Sequence, residues 1–213
     1  VPPPYVSEKL GLLQRATEQS ICIFIHGAGA FYSAPYTDSD VGYWGKLHER
    51  TPQCGERRFM HEDTLHRGWE DDWLQMRVCS LLGASARFRE VSDVVIFSHS
   101  MGSLIIAAAV HKGHCTLHPS ATWYSVAAPW NGSVAADALP EVCAGKPSLI
   151  DPALQAFARR QRFCEGKGGG PSLGYYSVRN RNNSALAEIA YLRNRVNGSM
   201  CGDSAFGLWS WDS

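Results

Sequence analysis

The 213-residue sequence has no excess of either charge: 20 Lys and Arg offset 20 Asp and Glu. A balanced chain offers no basic footprint for nucleic acid and no acidic interaction tail. Charged residues are 19% and hydrophobic residues 45%, which excludes a wholly disordered chain. No apolar run approaches the ~20 residues of a transmembrane helix, so no transmembrane segment is expected. Internal repeats, heptad seams and long low-complexity stretches are absent. The seven cysteines include no Cys-x-x-Cys pair and no histidine at ligand spacing, so a structural zinc site is not expected. The chain starts at Val1 without a readable signal peptide, as a fragment or a processed form would. Histidine is missing from the whole stretch after His118.

What is present reads as one domain of alternating strands and helices. Residues 1–4 are a proline-rich entry and residues 8–19 suit a short helix. Residues 21–25, Ile-Cys-Ile-Phe-Ile, form a continuous apolar run that ends at His26-Gly27, as expected of a strand buried on both faces. A loop over residues 27–45 leads to a short helix near Trp44. Residues 56–64 suit an irregular strand. Residues 69–82 suit a helix, with Trp73, Leu74, Val78, Leu81 and Leu82 available for one face and Asp71 and Asp72 complementing its dipole. A second buried strand over residues 94–97 runs into an alanine-rich helix over 104–110, and a third strand covers 123–127. Beyond residue 133 the pattern turns helical (137–144, 152–162 and 184–195), with a glycine-rich link over 164–172 and one short strand over 175–178. The expected fold class is α/β: a parallel sheet flanked by helices with right-handed crossovers. Residues 1–133 form the core of this single domain, and 134–213 a helical insertion or cap.

The strongest chemical signal is Val94-Val95-Ile96-Phe97-Ser98-His99-Ser100-Met101-Gly102, followed by Ser103-Leu104-Ile105-Ile106-Ala107. It places a small-x-Ser-x-small turn between a strand and a helix, the pattern of a nucleophile elbow. The tight turn holds the serine in strained backbone, so residues two away must be small; Gly102 meets that on one side, and Ser98 stands where glycine is more usual. The helix N-terminus behind Ser100 favours negative charge near its hydroxyl oxygen. Such a nucleophile needs two backbone N–H donors aimed at the developing oxyanion. Met101 supplies one, and Ala28, in the His26-Gly27-Ala28-Gly29 loop about 74 positions before Ser100, is the candidate for the other.

These stretches, with Ala127-Ala128-Pro129-Trp130-Asn131-Gly132-Ser133, resemble the lipase and esterase branch of the α/β-hydrolase family over residues 21–133. In that last stretch Ala128 stands where many lipases carry threonine. The resemblance implies cleavage of a carboxylic ester, lipid-like or small, through an acyl-enzyme on Ser100, without a cofactor. His26, Gly27, Gly29 and Phe31 would border the substrate. The triad order of the family puts an acid and then a histidine after the serine. Asp203 is the candidate acid, while Asp137 and Asp151 read better as helix caps. None of the eight histidines suits the base: His111, His114 and His118 fall at or beyond the far end of the helix behind Ser100, and His26 reads as loop support. Two explanations follow, a chain truncated before its last strands or a non-catalytic hydrolase-fold module that binds rather than cleaves. Acyltransferase or thioesterase chemistry on the same scaffold is a further alternative.

Cys22, in a buried strand, reads as a free thiol. Cys143 with Cys164, and Cys54 with Cys79, are candidate pairs, and Cys201 lacks an evident partner. Asn131, Asn182 and Asn197 each begin an Asn-x-Ser pattern, which with the cysteines tilts the expected compartment towards the secretory or extracellular one. A cytosolic protein with reduced thiols is the alternative. Tyr32, Tyr36, Tyr43 and Trp44 either line an acyl or leaving-group pocket or simply pack a long loop. Arg159, Arg160 and Arg162 suit a solvated helix face.

Overall fold

The strand runs fold as a layered α/β unit because their side chains alternate between two separate cores. The computed structural model of the chain describes residues 20–130, 132, 141–144, 164 and 188–201. In chain order the strands are β1 (Ser20–Ile25), β2 (Cys54–Phe59), β3 (Glu90–Val91), β4 (Val94–His99), β5 (Thr116–Leu117), β6 (Thr122–Val126) and β7 (Gly198–Met200). Five form the main sheet in the order β2-β1-β4-β6-β7, with every neighbouring pair parallel. β3 and β5 make a separate two-stranded parallel pair. The fold is therefore parallel α/β, as the alternation of elements predicts.

On one face Ile23 and Ile25 of β1 and Ile96 of β4 pack against the helices Asp72–Leu81 and Met101–His111. On the other face Cys22, Phe24, Phe59, Val95 and Phe97 pack with Trp44. Here the strand register stacks aromatic rings across four strands. Phe24 lies 4.3 Å from Phe59 and 5.0 Å from Phe97, and Phe97 lies 5.4 Å from Tyr124, all near-parallel. A one-residue slip would carry these rings to the opposite face, so the row pins the register.

Several boundaries differ from the sequence expectation. The helix expected over 69–82 spans Asp72–Leu81, because Asp71 caps it by accepting from the Leu74 N–H at 2.8 Å. Trp73 is exposed rather than in the core face, with the Arg67 guanidinium 4.3 Å above its ring. The helix expected from residue 104 already begins at Met101, and the irregular strand expected over 56–64 spans Cys54–Phe59. Residues 188–190 are helical and Tyr191–Arg195 tightens into a 3₁₀ turn. The chain then adds β7, a strand that the reading of residues 134–213 as helical had missed. Three residues carry no legible period. β7 is held instead by β6 and by Asn197, whose Oδ1 accepts from the Trp123 N–H at 2.8 Å. The expected elements over 8–19, 152–162 and 175–178 lie outside the described residues, as does most of 137–144.

The cysteine pairing also differs. Cys22 is not a free thiol: it is bonded to Cys54 on the adjacent strand. Cys54 is thus not paired with Cys79, which joins Cys115 instead. Cys143–Cys164 pairs as expected, and Cys201 is free and exposed. Among the described residues no helix is long and apolar enough to cross a membrane.

Candidate active site

Ser100 directly follows β4 and caps the helix Met101–His111 with φ 51° and ψ −126°. A non-glycine residue there stores roughly 1–3 kcal/mol of strain and persists only where its surroundings hold it. Three contacts do so. The Ser100 N–H donates to the Val126 carbonyl at 2.8 Å, tying the turn to β6, and the Ser103 N–H returns to the Ser100 carbonyl at 3.2 Å. Gly102 lets the helix start sit on the end of β1: a Cβ there would lie 2.6 Å from the Ile25 carbonyl oxygen and 2.7 Å from that of His26. Gly102→Ala should therefore cost about 3 kcal/mol, since neither carbonyl can swing away, and lower Tm by about 6–12 °C. Thermal unfolding by circular dichroism checks this; a shift below about 2 °C would show that the helix start yields.

Ser98 does more than remain small. It is fully buried on the helix-covered face, where its hydroxyl meets Ser103 Oγ at 2.7 Å and accepts from Trp123 Nε1 at 2.7 Å. Ser103 Oγ continues to Ser125 Oγ at 3.0 Å. This chain of hydroxyls satisfies polar groups that close strand–helix contact would otherwise bury without partners.

The loop after β1 packs directly against the serine. A Cβ on Gly27 would lie 2.8 Å from Ser100 Cβ, 3.0 Å from Tyr43 Oη and 3.2 Å from the His99 carbonyl oxygen, so only glycine fits. Beneath it His26 is 2% exposed. Its Nε2 accepts from the Glu62 N–H at 3.3 Å, which puts the ring proton on Nδ1, 2.8 Å from the Gly27 carbonyl. Burial pulls the His26 pKa down to about 4, so it is a neutral support of the loop at pH 7. Thr64 adds to that support: its Oγ1 donates to the Gly27 carbonyl at 2.8 Å and accepts from the Ala30 N–H at 3.2 Å, while its carbonyl accepts from Gly29 N–H at 3.5 Å. The Gly27 N–H is taken by Tyr43 Oη at 2.7 Å. Among the described residues the Ala28 and Met101 N–H groups are left without an acceptor. Phe31 stands further along the loop, half exposed.

The structure brings Ser100, Gly27 and its neighbours together, and among the described residues no histidine is hydrogen-bonded to Ser100. His99 Nδ1 meets Tyr43 Oη at 2.6 Å. His61 meets Thr37, His66 Asp63, His111 Glu188, His114 Asp72 and His118 Ser120. Asp203, Asn131 and Asn182 lie outside the described residues. Trp123, Ser103, Ser125 and Tyr43 are structural partners that reading along the chain did not single out for these roles; their hydroxyls and indole mark them only once strand order is known.

The sheet and the helices on it define a parallel α/β fold, with a serine at positive φ on the turn from β4 to the helix Met101–His111. The sequence matches no family model and no curated protein. Among solved structures, the chain is similar to the mature form of a lipase, BlEst2, from Bacillus licheniformis, at 12% identity and a TM-score of 0.47. The alignment covers 84% of this chain but only 60% of that lipase. The propeptide form of the same lipase aligns at 14% identity and 0.40, over 68% of this chain and 33% of that one. A Desulfitobacterium hafniense protein provisionally assigned to the α/β-hydrolase family aligns at 13% and 0.37, over 88% and 78%.

Proposed function

We propose that the chain carries the nucleophile and oxyanion pocket of a serine hydrolase acting on carboxylic esters. The observation that carries the reading is the backbone of Ser100, at φ 51° and ψ −126°, with the Gly27 loop against its Cβ. Asp93 and Ala127 also take positive φ, so the strain alone is no signature; it is the strain at a serine between a strand and a helix N-terminus, with the Gly27 loop against it, that supports the reading. In the reaction Ser100 Oγ bonds to the ester carbonyl carbon as its proton passes to a base. The carbonyl oxygen takes up the charge and accepts from the Met101 and Ala28 N–H groups. The alcohol then leaves with a proton, and water releases the acid from the acyl-enzyme. β7 runs parallel to β4 and so ends at the same sheet edge as Ser100. Asp203, three residues after Met200 in sequence, is the proposed acid that orients the base. The exposed aromatics Phe31 and Tyr32 near the loop support a lipid-like acyl group.

The test is labelling of the product of the complete open reading frame with a fluorophosphonate probe, followed by peptide mapping. Modification at Ser100 supports the reading. A second reading, a non-catalytic module on the same fold, is favoured by one observation: no described histidine is hydrogen-bonded to Ser100. It expects no labelling, and no histidine encoded downstream of the acid.

A further inference from the structure

We infer that Tyr43 is a positioning residue of this site: its hydroxyl bridges the loop that carries Ala28 to the strand end that carries Ser100. The inference rests on reading Ser100 as the nucleophile. Ala28 and Met101, the two proposed oxyanion donors, leave from different strands, and no covalent link sets their spacing. The β1–β4 ladder aligns them only as far as its last pair, Ile25 and Ser98. Just past that pair, Tyr43 Oη accepts from the Gly27 N–H at 2.7 Å and meets His99 Nδ1 at 2.6 Å. Gly27 directly precedes Ala28, and His99 directly precedes Ser100. The phenol thus ties the Gly27 backbone to the His99 side chain, one residue before Ala28 and one before Ser100.

Tyr43 is itself held in place. It belongs to the single-turn helix Val41–Trp44, whose cap Asp40 accepts from the Tyr43 N–H at 3.2 Å, and its ring packs edge-on against Trp44 and His99. A third of the residue meets solvent, but burial of its hydroxyl end pushes the pKa up to about 12, so it remains a protonated phenol. With the Gly27 N–H donating to Oη, the phenolic proton has His99 Nδ1 as its acceptor. This arrangement takes a neutral His99 with its proton on Nε2, and burial lowers its pKa in the direction that keeps it neutral; with the proton on Nδ1, Oη would accept from both groups and the bridge would persist. The clamp also consumes the Gly27 N–H, leaving Ala28 as the donor for substrate.

The test uses the full-length protein and a p-nitrophenyl ester. Tyr43→Phe should lower kcat between about tenfold and a hundredfold, as small misplacement of a preorganised site does. KM should change little, because the hydroxyl is engaged by Gly27 and His99 rather than offered to substrate. His99→Leu removes the same bridge from its other end, so the double variant should be no slower than the slower single variant. Multiplying losses, or an unchanged kcat in folded Tyr43→Phe, would overturn the clamp. If Tyr43→Phe does not fold, His99→Leu decides alone by the same kcat criterion. Imidazole ¹⁵N spectra supply a readout independent of turnover. A His99 Nδ1 resonance that moves in Tyr43→Phe supports the bridge; one that stays where it is in the wild type refutes it. Wild-type protein that leaves Ser100 unlabelled by fluorophosphonate refutes the hydrolase reading instead, whatever the spectra show.

Discussion

Replacing Ser100 with alanine is expected to lower ester hydrolysis by at least ~10⁴-fold and to abolish fluorophosphonate labelling, as loss of a covalent nucleophile does. The effect should be confined to chemistry. Ser100 Oγ has no hydrogen-bond partner among the described residues, so its removal strands no buried group. The strain belongs to the backbone, at φ 51°, and alanine inherits it. Glycine does not: Ser100→Gly should be as inactive as Ser100→Ala but more stable than it, by about 1 kcal/mol or 2–4 °C in Tm. That ordering separates the two meanings of the conformation. If Ser100→Gly gains nothing over Ser100→Ala, the turn is not strained. If Ser100→Ala keeps wild-type hydrolysis and labelling, the elbow holds a structural serine and the binding-module reading takes its place.

The strand, the turn at Ser100 and the helix behind it were legible because they are contiguous in sequence. Residues 94–110 contain the apolar run, the small neighbours and the helix that hold the serine, and no long-range contact is needed to see them. The parallel sheet was legible for a similar reason, since Ile21 to Ile25 and Val94 to Phe97 are apolar on both faces. What stayed hidden depends on which strands become neighbours. Tyr43 reaches His99 across 56 positions, and Trp123 reaches Ser98 across 25. Nothing local marks a tyrosine in a Gly, Ser and Asp-rich loop as a clamp rather than loop packing. Residues 198–200 are too short and too small to show a strand period. They become a strand because β6 offers an open edge and because Gly198 clears the Tyr124 ring, which a Cβ there would approach to 2.9 Å. The base that the proposed reaction needs was not legible at either level: the sequence has no histidine after His118, and no described histidine is hydrogen-bonded to Ser100.

Cysteine pairing was misread for the same topological reason, and it carries the largest expected effect on stability. Cys22 looks like an inert core thiol because it alternates with Ile21 and Ile23 along β1. Parallel pairing of β1 with β2 brings Cys54 beside it, within 5.5 Å between Cα atoms. Cys79 faces Cys115 because the helices Asp72–Leu81 and Met101–His111 pack side by side and Cys115 lies just past the end of the second. The two bridges span sequence separations of 32 and 36 residues. Constraining an unfolded chain over such loops stabilises the native state by about 4 kcal/mol per bridge on the chain-entropy account. Either pair replaced by alanine should thus cost roughly 2–5 kcal/mol and lower Tm by about 10 °C. Removing both approaches the whole stability of an ordinary domain, about 5–15 kcal/mol, so the four-alanine variant should be unfolded at 37 °C. Cys201→Ser, which changes an exposed free thiol, should shift Tm by no more than about 2 °C. Thermal unfolding with and without a reductant is the measurement. Three bridges are consistent with an extracellular protein, where such bonds persist. A wild-type Tm that is high and insensitive to reductant would show that the sheet and its aromatic row suffice without them. Reduction opens all three bridges, so a fall at least as large as that of the four-alanine variant would place the stability in the cross-links, and would make folding of the turn at Ser100 conditional on an oxidising compartment.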